Sequence, residues 1–240
     1  MTNLLELQSM SKRYGALIVT DDVSMSVASG ELVGILGPNG AGKTTLFSLI
    51  AGTVQPDKGT VSFEGNDISA LRAADRCKQG IARSFQVPQP FTGMSVFENV
   101  LLAATFGHDV ADPESRAISA LEQSGMTNKA NLMAGKLTLL DRKRLELARA
   151  LAANPKLLLL DEIAGGLTDS ECASLLSGIK DVHAQGVTII WIEHVLHALL
   201  SVAKRLIVLN FGKIIADGEP QAVINSREVK SVYLGEDAHV

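Results

Sequence analysis

The chain of 240 residues is poor in cysteine and has no long apolar run, and each scarcity excludes a class of protein. Two cysteines, Cys77 and Cys172, cannot form a disulfide framework and lack the spacing of metal ligands, so we expect small buried side chains at both positions. No uninterrupted apolar stretch approaches the ~20 residues that span a bilayer. The N-terminal residues lack the pattern of a signal peptide. A reducing, cytoplasmic location is therefore expected.

A large excess of one charge sign is also absent, since 22 basic residues oppose 26 acidic ones. The net charge is −4 and the sequence pI is about 5.7, so no broad basic surface for nucleic acid is predicted. Hydrophobic residues make up 46% of the chain, a fraction typical of globular proteins. The length suits one large α/β domain with a small appended subdomain.

A phosphate-binding loop is the clearest motif that is present. Its sequence fits G-x-x-x-x-G-K-[ST] and consists of Gly37, Pro38, Asn39, Gly40, Ala41, Gly42, Lys43, Thr44 and Thr45. An apolar segment, Leu32–Leu36, enters the loop, and a helix is expected to follow it from Thr44 to Ala51. Glycines allow backbone N–H groups to point at phosphate oxygens, and the helix N-terminus adds a favourable dipole. The motif predicts a nucleoside triphosphate, with Lys43 on its β- and γ-phosphates and the Thr44 hydroxyl on Mg²⁺.

The remaining pattern predicts an α/β fold. Residues 1–30 alternate apolar and polar side chains, which indicates antiparallel strands before the loop. The region 87–136 is expected to be mainly helical, with a capping box at Ser95 and a second helix that begins at Asp112. Strands at 157–161 and 187–192 then alternate with helices at 169–185 and 194–203, as in a parallel sheet covered by helices.

Two carboxylates follow the apolar strand at 157–160. Asp161 and Glu162 stand where a strand would deliver acidic side chains beside the phosphate loop. Asp161 is predicted to hold Mg²⁺, through water, and Glu162 to act as a base or to orient the attacking water.

In this order the motifs resemble the ATPase subunits of ABC transporters, and the resemblance covers nearly the whole chain. It implies ATP and Mg²⁺ as ligands, adenine stacking by Tyr14, a metal-site and catalytic glutamine at Gln86, and a γ-phosphate contact by His194. Leu137–Leu151 aligns with the signature segment and its helix, and Gly165–Thr168 with the loop that crosses the dimer interface. The implied fold is one domain, 1–240: a nucleotide-binding P-loop core with a mostly parallel sheet and an N-terminal antiparallel β part (1–86 and 137–240), and a helical subdomain (87–136) inserted between the glutamine loop and the signature.

The signature departs from the family's Leu-Ser-Gly-Gly-Gln. The present residues, 137–141, read Leu-Thr-Leu-Leu-Asp. Thr138 and Asp141 can still cap a helix and are predicted to contact the nucleotide of a partner subunit, but both glycines are lost. We therefore expect an asymmetric pair, in which a partner with an ordinary signature completes this chain's site. A heterodimer is favoured and a homodimer stays open.

Three other functions would account for part of this pattern. A GTPase would need Asn-Lys-x-Asp, and the nearest match, Asn128–Asn131, lacks the aspartate and precedes Asp161. An ABC protein directed at nucleic acid would usually carry two cassettes or a large insertion. A regulatory ATP-binding subunit with little turnover stays open because of the altered signature.

Several stretches resemble the ATPase subunits of branched-chain amino acid importers, namely Gly80–Gln86, Met94–Val100, Ile192–His194 and Val232–Gly235. This likeness implies a second ATPase subunit, two transmembrane permeases, an external solute-binding protein and a position on the inner face of a bacterial cell membrane. Importers of urea, amides or other small solutes are the alternative.

Overall fold

The computed structural model describes residues 3–234 and divides the chain into two compact units. The first unit comprises 3–72 and 190–234, and the second comprises 73–189. In chain order the elements are β1 (Asn3–Tyr14), β2 (Leu17–Ala28), β3 (Leu32–Leu36), α1 (Lys43–Ala51), β4 (Lys58–Phe63), β5 (Asn66–Asp67), α2 (Ala73–Lys78), β6 (Ile81–Arg83), α3 (Val96–Thr105), α4 (Pro113–Gln123), α5 (Leu139–Ala152), β7 (Leu157–Asp161), α6 (Asp169–Ala184), β8 (Thr188–Ile192), α7 (Leu196–Leu200), β9 (Arg205–Asn210), β10 (Lys213–Gly218), α8 (Pro220–Asn225) and α9 (Arg227–Leu234). Two short 3-10 helices, Thr127–Lys129 and Ala134–Lys136, precede α5.

The first unit contains an antiparallel sheet of order β2-β1-β4-β5. Its strands alternate as predicted, so that Leu5, Leu7 and Met10 of β1 are buried while residues between them are more exposed. The same unit also contributes three neighbouring strands to a second sheet, in the order β10-β9-β3. There β3 runs parallel to β9 and β10 turns back antiparallel. Strand β3 is buried along its whole length, as expected for a strand covered on both faces.

The second unit contains the parallel strands β6 and β7 and the five α-helices α2 to α6. Strands β6 and β7 pair in the register Ile81 with Leu157, Ala82 with Leu158 and Arg83 with Leu159. The capping box predicted at Ser95 is present, because the Ser95 hydroxyl accepts from the Glu98 backbone and Glu98 accepts from the Ser95 backbone. Asp112 likewise caps α4, with a proline at the start of that helix. Strand β8 begins in this unit and ends in the first.

Some expectations differ from the structure. The helix predicted over 194–203 is only the five-residue α7 (Leu196–Leu200). It begins two residues late because the Glu193 carboxylate accepts from the backbone of His194 and Val195 and holds both outside the helix. Of the two cysteines, Cys172 is buried, whereas Cys77 is half-buried.

The predicted partition into a core and a helical subdomain stays a prediction. The second unit contains the predicted helical region 87–136 together with β6, β7 and α6. Of the stretch Val232–Gly235, Gly235 lies outside the described residues. Among residues 3–234 no helix is long and apolar enough to cross a membrane.

Candidate functional site for nucleotide and magnesium

Glycines shape the phosphate loop in the first unit. Gly37, Gly40 and Gly42 have φ angles of 155°, 82° and 100°, which L side chains rarely adopt. A Cβ at Gly37 would lie 2.3 Å from the Leu209 carbonyl oxygen, and one at Gly42 would lie 2.3 Å from that of Val19. The loop therefore depends on the absence of side chains at these positions, as a backbone cradle for phosphate requires.

Lys43 opens α1 and is buried within this cradle. Its Nζ donates to the carbonyl oxygens of Gly37 and Pro38, at 2.7 and 3.0 Å. An ammonium held by the loop's own carbonyls lies where it can meet phosphate oxygens entering the loop. The Thr44 side chain is exposed in the first turn of α1, where its hydroxyl is accessible to a metal ion.

Tyr14 and His194 also belong to the first unit. Tyr14 ends β1 with a half-exposed ring, and the Nζ of Lys12 lies 5.6 Å from the ring centroid. His194 follows the end of β8 and its side chain is exposed. Both side chains can therefore be reached by a ligand. His197 lies in α7, and no group of three or more His, Cys, Asp or Glu side chains among the described residues could hold a metal ion.

The two predicted acidic residues, Asp161 and Glu162, lie in the second unit. Asp161 ends β7 and is buried, and its carboxylate forms an ion pair with Arg83 at 2.7 Å between Oδ2 and Nη2. The Asp161 backbone N–H donates to the Ser84 hydroxyl at 3.2 Å. The parallel register of β6 and β7 produces both contacts, since it brings the two strand ends to the same edge.

Glu162 follows with a φ of 47°, in the left-handed region. A non-glycine residue in this region costs free energy, and such residues occur in turns and cluster at functional sites. The amide of Gln86 donates to the Glu162 carboxylate, and Lys143 Nζ donates to the Glu162 backbone carbonyl at 3.3 Å. The structure thus brings together two predicted site residues, Gln86 and Glu162, that are 76 positions apart.

The signature segment begins α5 as predicted. Thr138 is the N-cap and accepts from the Asp141 backbone at 3.3 Å. The Asp141 carboxylate is buried, accepts from the Thr138 hydroxyl at 2.8 Å and pairs with Lys129 at 2.6 Å. Burial raises the pKa of Asp141, but hydrogen bonds from Lys129 and Thr138 outweigh it and hold the pKa below its usual value. The carboxylate therefore serves this helix end, and direct contact with a partner's nucleotide would require its rearrangement.

Leu139 carries the accessible surface of this segment and is 48% exposed. A Cβ added at Gly166 would lie 3.5 Å from the Leu139 Cδ2, so the signature segment and the predicted interface loop Gly165–Thr168 are neighbours within the second unit. Thr168 itself caps α6 through a capping box with Glu171.

Sequence reasoning missed Arg83 and Lys143 as members of the site. Both lie close to predicted residues, but nothing local marks them, because each contact joins segments far apart in the chain. The signal that could have found Arg83 is its position at the end of a strand that neighbours β7. This signal can be used only when the strand order is known.

The residues present fit a nucleotide with Mg²⁺. The glycine cradle and Lys43 suit phosphates, and Thr44 and Asp161 are oxygen donors. Mg²⁺ usually binds through one or two protein oxygens together with substrate phosphates and water, so a dedicated cluster of carboxylates is not required.

Comparison with known proteins decides the family. The family model described as ABC transporter matches residues 20–165, which is more than half of the chain. The chain belongs to the ABC transporter family. This ABC ATPase is coupled to transport, works with transmembrane permease subunits, and binds ATP with Mg²⁺.

Relatives cover almost the whole length of this ABC ATPase. The lipopolysaccharide export system ATP-binding protein LptB of Haemophilus influenzae is 36% identical over 236 residues, 98% of each chain. The high-affinity branched-chain amino acid transport ATP-binding protein BraF of Pseudomonas aeruginosa is 32% identical over 97% of this chain and 98% of its own. Among solved structures, the ADP conformation of MJ1267, an ATP-binding cassette of an ABC transporter, has a TM-score of 0.88 and 31% identity over 98% of this chain and 100% of its own. The predicted α/β P-loop fold is confirmed.

Proposed function

We propose that the predicted site residues of this chain bind and hydrolyse ATP. Lys43 and the glycine loop bind the β- and γ-phosphates, and the exposed ring of Tyr14 stacks on adenine. His194 contacts the γ-phosphate from the end of β8. The buried ammonium of Lys43, held at 2.7 Å from the Gly37 carbonyl, supports the first role, and the exposure of the other two side chains supports theirs.

Thr44, Gln86 and Asp161 would hold the metal. When bound, Mg²⁺ would neutralise charge on the phosphates while the γ-phosphoryl group is transferred to water. Glu162 accepts a proton from the attacking water or orients it, and Gln86 holds the Glu162 carboxylate until the substrate arrives. The hydrogen bond between Gln86 and Glu162 is the observation that carries this assignment, since it joins the predicted metal-site glutamine to the predicted base.

Hydrolysis requires a second ATPase subunit. In the family the signature of one subunit covers the phosphates in the loop of the other. This chain's signature has an exposed leucine at 139 where glycine is usual, and its Asp141 carboxylate is engaged with Lys129. A partner with an ordinary signature therefore completes the Lys43 site, and the site that uses Thr138–Asp141 turns over slowly. This asymmetry favours a heterodimer.

The asymmetry between the two ATPase subunits is tested by the substitution Glu162→Gln in the reconstituted transporter. Loss of most ATPase activity is expected, because the substitution removes the base from the productive site. The exposed Glu122, changed to glutamine in the same way, is the matched control and should leave the rate near that of the native complex. Retention of most activity in the Glu162 variant would place hydrolysis at the partner's loop and refute the asymmetry.

The cargo proposed first is a branched-chain or related amino acid taken up by an importer. Its support is the 32% identity to BraF over nearly the full chain, together with the stretches Gly80–Gln86 and Met94–Val100. Two permeases and an external solute-binding protein complete that assembly, with the ATPase on the cytoplasmic face of the membrane.

Lipopolysaccharide export is the second candidate, and the 36% identity to LptB over 98% of both chains supports it. The observed site is common to both candidates, because its residues act on ATP and none is assigned to the cargo.

Purification of this chain from its own membranes distinguishes the two. Co-purification of two permeases, followed by binding-protein-dependent uptake of leucine, isoleucine or valine in vesicles made from that complex, supports import. Recovery of a complex that releases lipopolysaccharide from vesicles supports export and overturns the first candidate. Recovery of nucleic acid without permeases would overturn transport altogether.

A further inference from the structure

The segment Arg83–Gln86 contacts both Asp161 and Glu162. The contact between Arg83 and Asp161 is not part of any role proposed above. Gln86 meets Glu162, as described, and Arg83 meets Asp161 through Nη2 and Oδ2 at 2.7 Å. Ser84 lies between them, and its hydroxyl accepts from the Asp161 backbone at 3.2 Å. The carboxylate predicted to hold Mg²⁺ is thus already bound by a cation of the same chain.

This ion pair is shielded from solvent. The side chain of Asp161 is 2% exposed and that of Arg83 is 10% exposed. The guanidinium also lies 5.6 Å from the centroid of the Phe85 ring, a distance at which cation–π attraction contributes. An arginine cannot lose its proton at any pH a protein survives, so its charge persists whether or not the metal is bound.

We propose that Arg83 is the counter-ion of Asp161 in the metal-free enzyme and that Mg²⁺ competes with it for that carboxylate. The proposal rests on the proposed role of Asp161 as a metal-site residue. A buried carboxylate needs a cation to offset its lost hydration, and Arg83 supplies it. A divalent ion near the same carboxylate is repelled by the guanidinium and must weaken the pair.

Two effects of opposite sign follow for Arg83→Gln. Glutamine can still donate to the carboxylate but carries no charge. The metal-free enzyme loses stability, because Asp161 is left buried without its cation. Metal binding becomes tighter, because no guanidinium opposes the divalent ion. If Arg83 had only a structural role, its substitution would lower both the stability of the metal-free enzyme and the affinity for metal, because a damaged site also binds metal less well.

The test uses the full chain with a non-hydrolysable ATP analogue and Mn²⁺ as the probe. Electron paramagnetic resonance of free Mn²⁺ gives the metal dissociation constant, and thermal unfolding in EDTA gives Tm. Arg83→Gln is expected to tighten Mn²⁺ binding by about tenfold, because the guanidinium no longer repels the divalent ion. Its Tm without metal is expected to fall by roughly 6–12 °C. Arg83→Lys keeps the charge and should bind Mn²⁺ as the native chain does.

Asp161→Asn separates failure of this inference from failure of the proposed function. Weaker Mn²⁺ binding in Asp161→Asn with tighter binding in Arg83→Gln supports both. Weaker binding in both variants leaves the metal role of Asp161 intact and overturns the competition with Arg83. Unchanged binding in Asp161→Asn overturns the proposed metal role, and the competition falls with it.

Discussion

Two glycines of the phosphate loop, Gly40 and Gly42, allow the stability cost of the same alanine substitution to be compared within one motif. Gly40 and Gly42 both have positive φ, 82° and 100°, and lie two residues apart. They differ in their surroundings, because a Cβ at Gly40 meets nothing within 4 Å whereas one at Gly42 comes within 2.3 Å of the Val19 carbonyl oxygen. The same substitution to alanine therefore separates backbone strain from steric collision.

The expected losses of folding free energy follow from backbone strain and steric collision. A left-handed backbone costs an alanine about 1–2 kcal/mol at either position. The stiffer unfolded chain returns about 0.4–1 kcal/mol in both variants. Gly42→Ala must in addition displace backbone, at a cost of about 1–3 kcal/mol, as in an overpacked core. The free energy of unfolding should thus fall by about 1 kcal/mol in Gly40→Ala and by about 2–4 kcal/mol in Gly42→Ala.

A single tryptophan makes the measurement specific. Trp191 is the only tryptophan in the sequence, is fully buried, and belongs to the same unit as the loop. Its fluorescence during urea denaturation therefore reports on the unit that carries both substitutions. Equal urea midpoints for the two alanine variants would refute the reasoning, because they would mean that the contact with Val19 adds nothing to the cost.

Three further outcomes are expected. Thr138→Ala should lower the free energy of unfolding by about 1 kcal/mol, because α5 loses its N-cap; Thr138→Ser, which keeps the hydroxyl, should not. The pKa of Asp141 lies below its usual value in the folded state, so its stabilising contribution is present above the unfolded pKa near 3.9 and is lost as pH falls through the folded pKa. The difference in urea midpoint between the native chain and Asp141→Asn should thus shrink from pH 7 to pH 3, and a constant difference would contradict the assignment. Tyr14→Leu should weaken ATP binding by about 1–3 kcal/mol in an equilibrium titration, whereas Tyr14→Phe should bind as tightly as the native chain.

Features that depend on near neighbours in the chain were predictable. The caps at Ser95 and Thr138 were expected from residues three positions apart and the cap at Asp112 from the proline that follows it, and each is present. The glycine loop was also expected, because its strand, turn and helix are consecutive. In these cases the interacting groups are joined by a few peptide bonds, so the sequence pattern contains most of the geometry.

Other features required contacts between distant segments. Nothing near Arg83 predicts its pairing with Asp161, which is 78 positions away and is produced by the register of β6 with β7. The expected helix over 194–203 is shorter because the Glu193 carboxylate holds the backbone of two residues at its start. Asp141 was predicted to meet a partner's nucleotide, yet Lys129 and the helix cap engage its carboxylate.

The sequence by itself determined the class of chemistry, since a phosphate loop, a strand-end acid pair and their order in the chain are local patterns that identify an ABC ATPase. Only the tertiary structure decided which charges those residues face. Parallel pairing of two short strands placed the Arg83 guanidinium on the carboxylate proposed to hold the metal. Burial strengthens that ion pair, because water screens it less. Electrostatic interactions of this kind depend on distance in space, which the order of residues does not specify.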